Sequence, residues 1–385
     1  MHYNPFEMDL LREYDVDPER GFLPSTDPLE RLPSEFEAWE RIAPRVSALL
    51  LAGQLRGTLA ALPVLDPGQL VQRDELERAM LLLSVFGNAY VWAEKTAPRK
   101  IPPPVAVPWH RVAHALGRPP IVSHASIVLR NWRRIDPDGP LALDNLETLQ
   151  RFGGSPDEQW FYLIPAAMEA RGAAALVAIA KARDAVDNEH VEDLTGELET
   201  IGTITGELTE ILLRTQEQCD PYIFYKRVRP YLAGWPEPGI VYEGVSETPV
   251  RLAGGSAAQS SLFQALDAAL GVNHEHEDSR PFLLAMRGHM PPRHRAFLET
   301  LDAGGPKLRA LVMERRGNHP GLAERYDAAI EALDHFRKVH FELAVRYITR
   351  QAPEPEDAKG TGGTDIATFL RKTREETQDT LLGDD

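Results

Sequence analysis

The chain has 385 residues, 43% hydrophobic and 26% charged, the balance of a globular protein with room for one large domain or two. Its 58 acidic residues outnumber 42 basic ones, and the formal charge of −16 argues against nucleic acid or an anionic membrane as a partner. A single cysteine, Cys219, excludes an internal disulfide, a four-thiolate iron–sulfur cluster and a zinc ribbon.

The N-terminus (MHYNPFEMDLLREYDVDPERGF) is acidic and lacks the apolar core of a signal peptide. The longest apolar stretch, Ala173 to Ala180, falls far short of the roughly 20 residues that cross a bilayer. A cytoplasmic protein with a reduced cysteine is therefore expected. In chain order, the first helical pattern runs from Ser34 to Ala61 and carries Trp39, Ile42, Val46, Leu49 and Leu50. Pro102–Pro104 reads as an extended connector, because a proline biases the residue before it away from helix. His110 and His114, four apart at the start of a likely helical stretch, have a zinc-compatible spacing but no third ligand, so an exposed pair is expected.

From Ala166 to Asp220 there is no proline, and the segment reads as two long helices broken near Val186–Glu189. Their stripes include Leu194, Leu198 and Ile201, then Leu208, Ile211 and Leu212. Trp235–Gly254 is Gly-, Pro- and Glu-rich and reads as a loop, with Gly239–Val241 and Thr248–Leu252 as a short hairpin at most. His274 and His276, in the polar VNHEHEDSR, are expected on the solvated surface. A second proline-free helix runs from Gly321 to Ala352, and Gln351–Gly363 follows as a flexible polar segment. The fold class is all-α. The expected division is a small N-terminal helical domain (1–152) and a large C-terminal one (153–385), with a mobile loop near 353–363.

Standard catalytic signatures are missing: there is no HExxH, no G-x-S-x-G, no Walker loop and no dinucleotide fingerprint. His340 lies on a stripe with Ile330, Leu333, Phe336, Leu343, Ala344 and Tyr347. Spacing leaves two readings, a hydrogen-bonded core histidine or an axial imidazole against haem. Two glycine-rich turns, Ala253–Ala258 and Gly360–Asp365, lead into helices; each is either an anion cradle or a flexible loop with a cap. Phe224 and Tyr225 stand near Arg227 and Arg229, a grouping that suits an aromatic carboxylate ligand or pairs with surface acids.

Several motifs together (GFLP, PPIVSHASIVLRNW, FYxxVRPYLxGW, GGSAAQSS, MRGHMPPRHRAFL, FRxxH and GTGGTD, in that order from about Gly21 to Leu381) closely resemble the indoleamine 2,3-dioxygenase family. The resemblance implies an all-α fold with small and large domains enclosing haem b. It also implies oxidation of the indole C2–C3 bond of L-tryptophan, or a related indole, by O2 to N-formylkynurenine. An electron donor would keep the iron ferrous, and a monomer is expected.

Carried onto this sequence, the resemblance makes His340 the proximal iron ligand and the one metal-binding residue, with Arg337 near a haem propionate and Asp267 supporting haem binding. Ser256 and Ala257 would approach the haem edge and substrate, while Val128 and Phe161 would line the distal pocket. Phe224 would pack on the indole and Arg229 would fork onto its carboxylate, with Thr364 and Gly363 of GTGGTD closing over it. Two positions depart from the vertebrate members: Pro165 stands where they carry a distal serine, and His124 where they carry a pocket tyrosine. His124 is expected either to accept a hydrogen bond from the indole nitrogen or to pack between the domains. The departures motivate a second expectation, a haem oxygenase acting on another indole in a biosynthetic route, and beyond it a non-catalytic haem-binding protein.

Overall fold

The structure is a computed structural model describing residues 11–277, 279–354, 358–362 and 365–383. Nine helices of nine residues or more dominate the described chain: α1 (Arg73–Trp92), α2 (Pro103–Ala115), α3 (Pro156–Asp187), α4 (Val191–Leu213), α5 (Ser261–Leu270), α6 (Ser279–Arg287), α7 (Pro292–Arg315), α8 (Pro320–Ala344) and α9 (Ile366–Gln378). The all-α class holds. The strands among the described residues are two residues long, such as Lys100–Ile101 pairing in parallel with Val241–Tyr242.

α3 starts where Ser155 accepts a hydrogen bond from the Glu158 amide at 3.2 Å and Pro156 supplies the preset φ of a first helical turn. It ends at Asp187, and α4 begins at Val191, so the break falls where the sequence placed it. α4 packs between α3 and α8, burying Leu194, Leu198, Ile201 and Leu208. The α4–α8 crossing is close because Gly202 faces Ala329; a Cβ on Gly202 would stand 3.3 Å from the Ala329 Cα. By length and composition α3 could cross a membrane, yet 83% of its most apolar window is buried inside the protein. It is the central core helix.

Three expectations need correction. Ser34–Ala61 is not one helix but short turns, α-helical at Glu37–Ile42, Val46–Leu51 and Leu55–Ala60. Pro44, which has no N–H to give, interrupts the first helix, and Gly53 turns the chain at φ +64° before the third. The stripe still works, since Trp39, Ile42, Val46 and Leu49 are buried. Residues 100–102 are extended, but Pro103 and Pro104 open α2, whose first turn needs no N–H donors. The third correction concerns His274, which belongs to the site below. His110 and His114 are exposed on α2, and Gly239–Leu252 forms a single antiparallel bridge, Ile240 to Val250.

Histidines shielded from water cost stability in acid, among them His289, His294 and, in the site below, His340. Burial pushes His289 down to about 4, and burial with the charges of Arg73, Arg130 and Arg118 pushes His294, against the Phe22 ring, down to about 3. Unfolded histidine titrates near 6.5, so the unfolded chain binds more protons between those values. Stability is whole above about pH 6.5 and falls by about 1 kcal/mol per pH unit per histidine below it. His274, whose pKa is raised, works in the opposite sense. The measurement is therefore a difference: His294→Leu should show a smaller drop in urea midpoint between pH 7.5 and 5.5 than the wild type. Equal drops would remove His294 from the account.

Candidate functional site

A cavity of about 350 Å³ lies between α3, α5, α8 and α9. One water needs only about 10–15 Å³ by the same measure, so the space admits a large group. Three π-helical turns border it: Ala125–Leu129, Phe224–Val228 and Val345–Thr349. Such turns carry one extra residue and cluster at functional sites. Pro165, inside α3, also lines the cavity and cannot donate to the preceding turn.

α8 presents Phe336, Arg337, His340, Leu343 and Ala344 to this space. The His340 ring accepts or donates no hydrogen bond to any described residue. Enclosure by the protein, then the charge of Arg337, lowers its pKa to about 4, so it is a neutral imidazole with a lone pair to give. Phe263 stacks on Phe336 with centroids 4.2 Å apart, making a flat apolar wall beside it.

The opposite edge is charged. Arg337 Nη2 pairs with Asp267 at 2.5 Å, and Arg337 also donates to Thr377 on α9. Asp267 receives His274 Nε2 at 3.1 Å, and His274 Nδ1 meets Glu376 at 2.7 Å. Burial works against ionising Asp267, but Arg337 and His274 hold its carboxyl below the usual range. Burial likewise works against charging His274, while Asp267 and Glu376 raise it. His274 is thus a largely enclosed clamp joining α5 to α9, not the solvated residue its polar neighbours suggest. His276 is exposed.

On a third side Phe161 and Phe224 lie 4.5 Å apart, with Tyr347 edge-on to Phe224 at 5.9 Å. Arg229 follows the second π-turn; its guanidinium lies 5.2 Å over the Tyr225 ring and donates to the Lys359 carbonyl. Ser256 and Ala257 line the cavity too, although Ser256 Oγ is already the cap of the Ala257–Gln259 turn, accepting from the Ala258 amide at 3.2 Å. The two glycine-rich turns meet here: the Gly254 amide donates to the Thr361 carbonyl at 3.2 Å, and the Thr361 hydroxyl donates to the Gly255 carbonyl. Gly254 has no room for a side chain, since a Cβ would lie 2.1 Å from the Leu232 carbonyl oxygen. Gly363 and Thr364, expected to touch substrate, lie outside the described residues, as does part of the expected mobile loop.

His124, Val128 and Asp267 complete the set; every expected site residue that is described borders this one cavity. His124 Nε2 is 2.9 Å from Glu169 Oε1, and its backbone amide donates to Gln259 Oε1 at 3.0 Å. Glu169 is the residue that sequence reasoning missed. Its signal was there, as the only acid between Trp160 and Ala182 in a mostly apolar stretch whose other charges are Arg171 and Lys181.

An all-helical protein with one unbonded imidazole facing a large apolar cavity, and cations at its edges, has the construction of a haem-binding oxygenase. The family model for Indoleamine 2,3-dioxygenase matches residues 10–380. Indoleamine 2,3-dioxygenase 2 of Mus musculus is 35% identical over 97% of this chain and 95% of its own length. Indoleamine 2,3-dioxygenase 2 of Homo sapiens is 34% identical over 97% and 95%, and indoleamine 2,3-dioxygenase of Saccharomyces cerevisiae 32% over 96% and 93%. The chain belongs to the indoleamine 2,3-dioxygenase family, whose members are haem-dependent oxidoreductases that incorporate O2.

The residues present fit a haem. The Phe263–Phe336 wall is flat and apolar, His340 is neutral and free of other bonds, and Arg337 supplies a cation for a carboxylate. Among the described residues no group of three or more metal-ligating side chains competes with a single-histidine site.

Proposed function

We propose that this protein cleaves the indole C2–C3 bond of L-tryptophan with O2, giving N-formylkynurenine, on a haem b held by His340. One observation supports this most directly: the same cavity is lined by a neutral imidazole on α8, by the aromatic pair Phe161–Phe224 and by Arg229. Haem, when bound, supplies the activation of dioxygen.

The chain supplies orientation and surroundings. His340 offers its lone pair to the iron, and Arg337 holds a propionate while Asp267 fixes the guanidinium. Phe224 and Phe161 give the indole ring an aromatic wall, and Arg229 forks onto the amino-acid carboxylate. Ser256, Ala257 and Val128 shape the haem edge and distal pocket, and the apolar lining keeps water from the reacting bond. A donor of electrons keeps the iron ferrous between turnovers.

The test is product mass spectrometry on the haem-loaded protein with a reductant, O2 and, side by side, L-tryptophan, tryptamine and indole. N-formylkynurenine from tryptophan at the highest kcat/KM supports the proposal; a gain of a single oxygen, or turnover of another indole alone, overturns it. The second outcome would favour a biosynthetic oxygenase, the reading that Pro165 and His124 on the cavity wall support.

A further inference from the structure

Glu169 lies at the middle of α3, 2% exposed, beside the cavity it helps to line. A buried carboxylate is costly unless donors reach it. Here two donors converge on a single oxygen: Ser260 Oγ donates to Oε1 at 2.7 Å, and His124 Nε2 lies 2.9 Å from the same atom. A carboxylate has no proton to give, so with Glu169 as carboxylate the proton of that contact belongs on His124 Nε2.

The backbone that carries the imidazole is held as well. The His124 amide donates to Gln259 Oε1 at 3.0 Å, and Gln259 Nε2 donates to the Gly254 carbonyl at 2.8 Å, tying this stretch of chain to the glycine-rich turn. Glu169, Ser260 and His124 come from α3, from the cap of α5 and from the start of the first π-turn. The ring itself bonds to Glu169, so that carboxylate sets which way it donates.

We infer that Glu169, supported by Ser260, is a positioning residue that locks His124 as the Nε2–H tautomer and leaves Nδ1 as a hydrogen-bond acceptor for the substrate, so that the pocket selects rings bearing a free N–H. This rests on the proposed indole substrate only for the identity of that ring; the tautomer does not depend on it. A neutral imidazole that donates at one nitrogen carries its lone pair on the other, and the second partner decides which. Indoles methylated on nitrogen present no donor and meet an acceptor left unpaired. Glu169 Oε2 is buried with no partner among the described residues, so in Glu169→Gln the NH2 takes the Oε1 position. There Ser260 Oγ turns to accept one N–H and His124 Nε2 accepts the other, which puts the imidazole in the Nδ1–H form and closes the acceptor.

Two measurements test this. First, the protein with 15N-labelled histidine, with the His124 signals assigned by their loss in His124→Phe, should show the Nε2–H tautomer in the wild type and the Nδ1–H form in Glu169→Gln. A wild-type Nδ1–H form, an imidazolium at neutral pH, or a tautomer indifferent to Glu169→Gln overturns the inference. The wild-type spectrum decides even where the variant fails to fold. Second, kcat/KM for tryptophan should exceed that for 1-methyltryptophan by about tenfold in the wild type, one hydrogen bond's worth. Glu169→Gln should reduce the ratio to near one while Glu169→Asp keeps most of it. A ratio unchanged in Glu169→Gln, with turnover still measurable, refutes the selective role. Absence of any tryptophan turnover in the wild type would strike the proposed function and leave the tautomer result standing.

Discussion

His340→Ala should yield a folded protein that does not retain haem. The imidazole is the single side chain on the α8 stripe with a lone pair to give, and it makes no bond to the described protein that a ligand would have to break. Removing it takes away the only strong attachment for the iron and leaves apolar contacts and Arg337. Activity should fall below detection, and the Soret band should vanish or move far from its wild-type position after reconstitution and gel filtration. The apoprotein supplies the control. A buried imidazole without a partner pays for its lost hydration, so the variant without haem should melt within a few degrees of the wild-type apoprotein. Normal haem content and spectrum would sink the assignment; loss of haem with collapse of the apoprotein would mean His340 is a packing residue.

The second large effect is expected at Arg229. A charge-assisted, two-pronged contact to a carboxylate in a partly enclosed site is worth about 1.5–3 kcal/mol. Arg229→Ala should therefore lower kcat/KM for tryptophan at least tenfold. Tryptamine, which has no carboxylate, should be almost indifferent. The guanidinium donates to the Lys359 carbonyl and lies over Tyr225, so substrate has to take it from the loop. The loss should appear chiefly in KM, with hydrogen exchange at Gly360–Gly362 already fast in the variant and slowed by tryptophan only in the wild type. Equal losses for both compounds would assign Arg229 to loop anchoring instead.

Much of this was legible in the chain because it is local. The 3.6-residue period exposes the α4 stripe and the face of α8 that carries His340, and an absence of proline marks α4 and the part of α3 beyond Ala166, although α3 begins at Pro156 and carries Pro165 inside it. What was not legible depends on partners distant in sequence. VNHEHEDSR is polar enough for a surface loop, yet His274 is enclosed because Asp267 and Glu376 arrive on two different helices. Glu169 looks like one charge among several on α3 until His124 and Ser260 come beside it. Proline misled in both directions. Pro44 breaks a helix whose stripe looked continuous, whereas Pro103 and Pro104 begin one, because position within the first turn decides what a missing N–H costs. The π-turns at Ala125, Phe224 and Val345 leave no mark in the hydrophobic pattern, since one extra residue shifts the period by less than the pattern resolves.

The walls of the cavity run from His124 through α3, α5 and α8 to Phe369, Leu370 and Thr373 on α9. During synthesis chains fold from the N-terminal side at about 5–20 residues per second. The earliest wall residues therefore wait on the order of ten seconds or more before the last wall is made, and for that time an apolar trough stands open to water. Arg337, clamped to Asp267 and to Thr377, fastens the final wall onto the helix that holds His340. If the cavity holds haem as proposed, its site is complete only once α9 has packed against α8.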